Sequence, residues 1–109
     1  MHKEVYCSMA EFVAVANVAD IASGQGKTVV VNGKDIAVFN VDGSFYAIDG
    51  ICVHRGGPLG EGALQGKIVT CPWHQWTYDV TTGISTLNPA AKVACYETKI
   101  ESGQVKVFA

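Results

Sequence analysis

The 109-residue chain lacks most of the features that would commit it to a common function class. No apolar run approaches the eighteen or so residues of a membrane span. The longest candidate, from Phe12 to Ala19, is interrupted by Asn17. The amino-terminal Met1-His2-Lys3-Glu4 has mixed charge and no adequate apolar segment after it, so no signal peptide is read there. These two absences make a cytoplasmic protein, away from the membrane, the expectation. Charge is sparse, 17% of residues with a net of −2, and no basic cluster occurs, which gives no support for nucleic-acid binding. There is no internal repeat, low-complexity segment or linker, and the length holds one domain over 1–109. No nucleophile–base pair stands out, so the chain is not expected to be an enzyme in its own right.

Cysteine and histidine are also scarce, four and three residues, yet four of these seven fall into two tight groups. Cys52-Val53-His54 is followed, after sixteen intervening residues, by Cys71-Pro72-Trp73-His74. Each group offers one thiolate and one imidazole. That mixture suits a Rieske [2Fe–2S] centre, in which two His replace two Cys on one of the irons. Cys52 and Cys71 would bind one iron, and His54 and His74 the other, so each iron is clamped by both loops. Two thiolates balance the 2+ charge of the oxidised cluster, whereas four would leave two more negative charges to oppose an added electron. Rieske potentials accordingly lie at roughly −150 to +300 mV, against about −400 mV for plant-type ferredoxins. A structural zinc site of two Cys and two His is the rival reading. Zinc sites usually pair like ligands at one end, and here each end is mixed. The blandest reading treats the four as unrelated core residues.

The flanks carry a family resemblance. Cys52-Val53-His54-Arg55-Gly56-Gly57-Pro58-Leu59 resembles the first cluster loop of soluble Rieske-type ferredoxins. Cys71-Pro72-Trp73-His74-Gln75-Trp76-Thr77-Tyr78-Asp79, with Thr82-Gly83, resembles the second, and the likeness continues through Asn88-Pro89-Ala90. It implies an all-β Rieske fold, an antiparallel sandwich or barrel-like scaffold with a small loop-rich cluster-binding subdomain at about residues 50–83. It also implies a one-electron carrier, a monomer, fed by an NAD(P)H-dependent flavoprotein ferredoxin reductase and serving a terminal oxygenase. That oxygenase would be an aromatic-ring dioxygenase or a diiron monooxygenase, with the His-Gln-Trp-Thr-Tyr run closer to the latter's ferredoxins. The alternative is a small Rieske-type subunit of a nitrite reductase or a related module that transfers no electrons. Respiratory Rieske proteins place an inter-loop disulfide where this chain has Gly57 and Trp73, and a hydroxyl donor where it has Trp76. The resemblance therefore implies a low potential.

Turn signals organise the rest. Asn32-Gly33 separates Thr28–Val31 from Ile36–Asn40, Asp42-Gly43 separates the latter from Phe45–Ile48, and Ser102-Gly103 joins Val93–Ile100 to Val105–Phe108. Ile68–Thr70, Trp76–Val80 and Phe12–Val15 read as further strands. Gly56, Gly57, Gly60 and Gly62 crowd the first loop, where their amides could point at cluster sulfurs or form a tight turn. Trp76 and Tyr78, at alternate positions, read as core. Cys95 reads as a small buried hydrophobe, unbonded to Cys7, which has no assigned role. Pro58, Leu59 and Trp73 are expected to form an apolar docking rim beside exposed His edges, with Pro89 in a covering segment.

Overall fold

The structure, a computed structural model, describes residues 11–51, 58–73, 76–87 and 91–109. Ten strands are described. They are β1 (Phe12–Asn17), β2 (Gly26–Val31), β3 (Lys34–Val41), β4 (Ser44–Asp49), β5 (Ala63–Gln65), β6 (Ile68–Thr70), β7 (Thr77–Asp79), β8 (Cys95–Tyr96), β9 (Thr98–Glu101) and β10 (Gln104–Phe108). Short 3₁₀ turns occupy Val18–Asp20 and Leu59–Glu61. The fold is all-β with antiparallel pairing throughout, as the sequence implies.

Three two-residue turns set much of the register. Asn32, Asp42 and Ser102 adopt positive φ, and each is followed by a glycine that also does: Gly33, Gly43 and Gly103. Two successive left-handed residues match the right-handed twist of the strands they join. Val31 therefore pairs with Lys34, Val41 with Ser44, and Glu101 with Gln104.

The strands form three sheets, ordered β1-β10-β9, β2-β3-β4-β8 and β5-β6-β7. The four-stranded sheet lies between two cores, which explains the unbroken apolar run Ile36-Ala37-Val38-Phe39. Ile36 and Val38 join Phe45, Ala47, Val105 and Val107 in one core, and Ala37 and Phe39 join Ile48, Leu59, Val69, Cys71, Tyr78 and Val80 in the other. Side chains alternate along a strand, so β3 serves both faces and has no polar face to show. Burying each such large side chain contributes about 1.5–3 kcal/mol. The second core is the one that reaches the cluster-loop motifs.

One reading is corrected here. Val93–Ile100 is not a single strand: Cys95–Tyr96 pairs with β4, and Thr98–Glu101 pairs with β10 in another sheet. The chain changes sheets at Glu97, and its mixed polarity gives no periodicity that would mark the crossing. Phe12–Val15 is extended as expected, with a register shift between Ala14 and Ala16 where β1 meets β10.

Candidate iron–sulfur site

The structure describes the stems from which the motif loops spring. β4 ends at Asp49, which is held on both sides of the chain. Its amide donates to the Ala94 carbonyl at 2.9 Å, and the Ala94 amide donates back to Asp49 Oδ2 at 2.9 Å. Tyr96 Oη donates to Asp49 Oδ1 at 2.6 Å. The Gly50 amide then donates to the Asp35 carbonyl, and the Leu59 amide donates to the Gly50 carbonyl. Ile51 bridges to Pro58, closing a neck on either side of residues 52–57. Cys52 and His54 fall in that segment, outside the described residues.

The second loop leaves from a hairpin. β6 pairs with β7 through Thr70 and Thr77, and the Cys71 amide donates to the Trp76 carbonyl at 2.6 Å. Pro72 and Trp73 form a turn after Cys71, and His74 and Gln75 are outside the described residues. A third loop is closed in the same manner. Tyr78 bridges to Ser85, the Ser85 amide donates to the Ala91 carbonyl, and the Thr86 amide donates to the Thr77 carbonyl. The Thr77 and Thr86 hydroxyls also hydrogen-bond to each other. Asn88, Pro89 and Ala90, between Leu87 and Ala91 in sequence, are outside the described residues.

The stems share one core. Leu59 follows the first loop and Cys71 begins the second, and both are fully buried in the cluster with Phe39 and Tyr78. A buried thiol at the foot of a loop suits a structural thiolate ligand: its position is fixed by packing before any metal arrives, and water is kept from the sulfur. Among the described residues no group of three or more His, Cys, Asp or Glu could hold a metal, three of the four expected ligands being outside them.

The glycines beside the first loop have a packing reason. A Cβ on Gly60 would lie 2.1 Å from Thr28 Oγ1 and 2.9 Å from the Thr28 nitrogen. On Gly62 it would lie 2.2 Å from the Thr70 carbonyl oxygen, immediately before Cys71. These two glycines thus press the Leu59–Glu61 turn onto β2 and β6; Gly56 and Gly57 are outside the described residues. Tyr78 is buried and Trp76 is half-buried against the same core, in accord with a packing role. Trp73 is exposed.

Two expectations fail. Leu59 cannot form a docking rim, because it points into the core and is fully buried. Its position at the start of a 3₁₀ turn, rather than in the loop proper, turns it inward. Cys95 is exposed, because β8 is a two-residue edge strand with no neighbour beyond it. Its thiol donates to the Thr81 carbonyl at 3.6 Å. Partial desolvation of the sulfur, with a smaller contribution from the Asp79 carboxylate, pushes the thiol pKa up.

The site's flanking charges are tied down. Tyr96 is pushed up to about 12, first by burial and then by its hydrogen bond to Asp49 and that carboxylate's charge. For Asp79, burial acts to raise the pKa. The hydrogen bonds from the Thr81 side chain and amide, and the Lys67 ammonium at 3.4 Å, outweigh it and hold the carboxyl below its usual value. Sequence reasoning missed the Asp49 clamp, which joins residues 47 positions apart with no local signal. It also missed Ile51 and Leu87 as exposed apolar residues, although their adjacency to Cys52 and to Asn88-Pro89-Ala90 was a usable signal.

Comparison with known proteins agrees with this construction. The family model for the Rieske [2Fe-2S] domain matches residues 11–97. A ferredoxin component of the naphthalene 1,2-dioxygenase/salicylate 5-hydroxylase systems of Ralstonia sp is 38% identical over 95 residues, covering 86% of this chain and 91% of the relative. In the structure of a complex of reduced oxygenase and oxidized ferredoxin of carbazole 1,9a-dioxygenase, one chain superposes with a TM-score of 0.82 at 29% identity, covering 89% of this chain and 92% of the other. A Mycobacterium tuberculosis protein described as the small subunit of an NADH-dependent nitrite reductase shares the fold, with a TM-score of 0.85 at 19% identity over 92% of this chain and 96% of the other. The chain belongs to the Rieske [2Fe-2S] domain family, and its cofactor is a Rieske-type [2Fe–2S] cluster.

Proposed function

We propose that this chain is the ferredoxin component of a multicomponent oxygenase, taking single electrons from an NAD(P)H-dependent flavoprotein ferredoxin reductase and delivering them to a terminal oxygenase. The cluster supplies reversible one-electron chemistry. In this reading Cys52 and Cys71 hold one iron, His54 and His74 hold the other, and residues 50–83 form the cluster-binding part of a single domain. The carrier works as a monomer in the cytoplasm.

The observation that carries the proposal is the arrangement of stems. The necks flanking Cys52-Val53-His54 and Cys71-Pro72-Trp73-His74 are closed by backbone contacts, and the residues at their feet, Leu59 and Cys71, share one core. Relatives named as dioxygenase ferredoxin components support the carrier role, and they favour an aromatic-ring dioxygenase over a diiron monooxygenase. The nitrite-reductase alternative rests on likeness of fold alone at 19% identity. The lack of a disulfide partner at Trp73, and of a hydroxyl at Trp76, supports a potential at the low end of the Rieske range, about −150 mV.

The test is reconstitution. The holoprotein, mixed with NADH, a flavoprotein ferredoxin reductase and the oxygenase component of a naphthalene dioxygenase system, should restore hydroxylation of naphthalene. Reduction of the protein by the flavoprotein with no transfer to any oxygenase, but with transfer to a nitrite reductase large subunit, would reverse the assignment.

A further inference from the structure

The backbone ladder of the four-stranded sheet changes character at Asp49, three residues before Cys52. β4 pairs with β8 through Ala47 with Tyr96 and Ile48 with Cys95, which sets Asp49 opposite Ala94. An ordinary hydrogen-bonded antiparallel pair exchanges two backbone bonds. Here the Asp49 amide donates to the Ala94 carbonyl, but the return bond is diverted: the Ala94 amide donates to the Asp49 carboxylate, at Oδ2. The other carboxylate oxygen, Oδ1, accepts from Tyr96 Oη at 2.6 Å. A side chain thus closes the ladder in place of the backbone, and the chain turns away at Gly50.

Gly50 carries that anchorage towards the motif. Its amide donates to the Asp35 carbonyl at 2.8 Å, and its carbonyl accepts from the Leu59 amide at 2.9 Å. A Cβ on Gly50 would lie 3.1 Å from the Asp35 carbonyl carbon, so this residue rests directly on β3. Ile51 then bridges to Pro58. Tyr96 is itself held in place. Its ring packs against the core that contains Phe45 and Ala47, and Lys34 Nζ lies 5.9 Å from the ring centroid. The carboxylate that starts this path therefore accepts two hydrogen bonds from a fixed frame, and bonds to a charged acceptor are stronger than neutral ones.

We propose that Asp49 is a positioning residue for the cluster and that Tyr96 acts through it, the pair latching the neck of the first motif so that Cys52 and His54 stay on the irons. The inference rests on the ligand assignment above. Release of the latch would let the end of β4 part from Ala94 in a local opening, which leaves the rest of the fold intact and exposes the first motif's ligands to exchange. The Asp49 charge has a separate effect. The reduced cluster carries one more negative charge than the oxidised one, so a carboxylate nearby opposes reduction.

The experiment follows the release of iron from oxidised holoprotein to excess EDTA through the loss of visible absorbance. Tyr96→Phe keeps the ring beneath Lys34 but removes one bond to the carboxylate, and should speed release about tenfold. Asp49→Ala removes both bonds and should speed it about a hundredfold, and adding Tyr96→Phe to it should do no more. Asp49→Asn is the rescue: its oxygen can accept from the Ala94 amide while its nitrogen donates to Tyr96 Oη. It should hold iron within about twofold of wild type, yet raise the midpoint potential. Thr98→Val removes the hydrogen bond to the Phe45 carbonyl at the other end of β4, and should lower the thermal midpoint without altering iron release or potential. Tyr96→Phe decides the matter even where Asp49→Ala is not recovered loaded. If it releases iron as slowly as wild type, or if Thr98→Val releases it equally fast, the latch is overturned and the ligand assignment stands. If Cys52→Ser assembles an unaltered cluster, the ligand assignment falls and takes the latch with it.

Discussion

Gly62→Ala isolates the packing between the two cluster-loop stems. Gly62 has φ −76° and ψ 160°, an ordinary extended conformation that alanine adopts freely. With open space around it, the substitution would stabilise the fold by about 0.4–1 kcal/mol, by restricting the unfolded chain. The space is not open. The new Cβ would lie 2.2 Å from the Thr70 carbonyl oxygen, 2.9 Å from Val69 Cγ2 and 3.1 Å from the Thr70 carbonyl carbon. The nearest obstacle is backbone in the middle sheet strand β6, so it cannot rotate aside. Forcing a methyl into such a site costs about 1–3 kcal/mol, and the upper half of that range applies because β6 would have to move. The net expectation is a loss of about 2 kcal/mol, or about 8 °C in thermal midpoint at this chain length. Gly66→Ala is the control. Gly66 has φ +62° and nothing within 4 Å of a Cβ, so its cost is the left-handed backbone alone, about 1 kcal/mol. Because the Thr70 carbonyl immediately precedes Cys71, Gly62→Ala should also perturb the visible circular dichroism of the cluster, and Gly66→Ala should not. Thermal melts and spectra of the two holoproteins decide it. A Gly62→Ala variant more stable than wild type, or less affected than Gly66→Ala, would refute the close contact between the stems.

Spectrophotometric titration should show Tyr96 protonated through pH 10 and ionising near 12, while Asp49→Asn lowers that value by removing the carboxylate. Since the folded pKa lies above the unfolded value of about 10, the stability linked to Tyr96 is fully present below pH 10 and is lost as pH rises through 12. Asp79 has the opposite sign. Its folded pKa lies below the ordinary 3.8, so its contribution is present above that value and is lost as pH falls through the lowered one. The gap in thermal midpoint between wild type and Asp79→Asn should accordingly be constant near neutrality and close in acid below about pH 4. Cys71→Ser should prevent assembly of the normal cluster, because the buried thiol proposed as a ligand is removed, whereas Cys95→Ser at the exposed edge should leave iron content and spectrum unchanged. Iron and sulfide analysis of the two variants checks this.

The sequence disclosed what rests on local chemistry. Asn32-Gly33, Asp42-Gly43 and Ser102-Gly103 announced their hairpins because two successive left-handed residues are cheap only for such pairs. The cluster motif was legible because the pattern of Cys and His has few other uses. What stayed hidden depends on partners far along the chain. Leu59 lies beside a glycine-rich loop and looked superficial, but the 3₁₀ turn rotates it against Phe39 and Tyr78. Cys95 sits in an apolar stretch that looked buried, but β8 is an edge strand of two residues. The pairing of β1 with β10 joins opposite ends of the chain and leaves no local trace. The alternating use of both faces of β3 reads in sequence only as a solid apolar run.

The central claim, a [2Fe–2S] cluster held by Cys52, Cys71, His54 and His74, is tested most directly by electron–nuclear double resonance on the dithionite-reduced protein. The account predicts couplings from two imidazole nitrogens bound to the reduced iron, one of them lost on replacing His54 and the other on replacing His74. A spectrum without strongly coupled nitrogen, or one that survives both replacements, would contradict it.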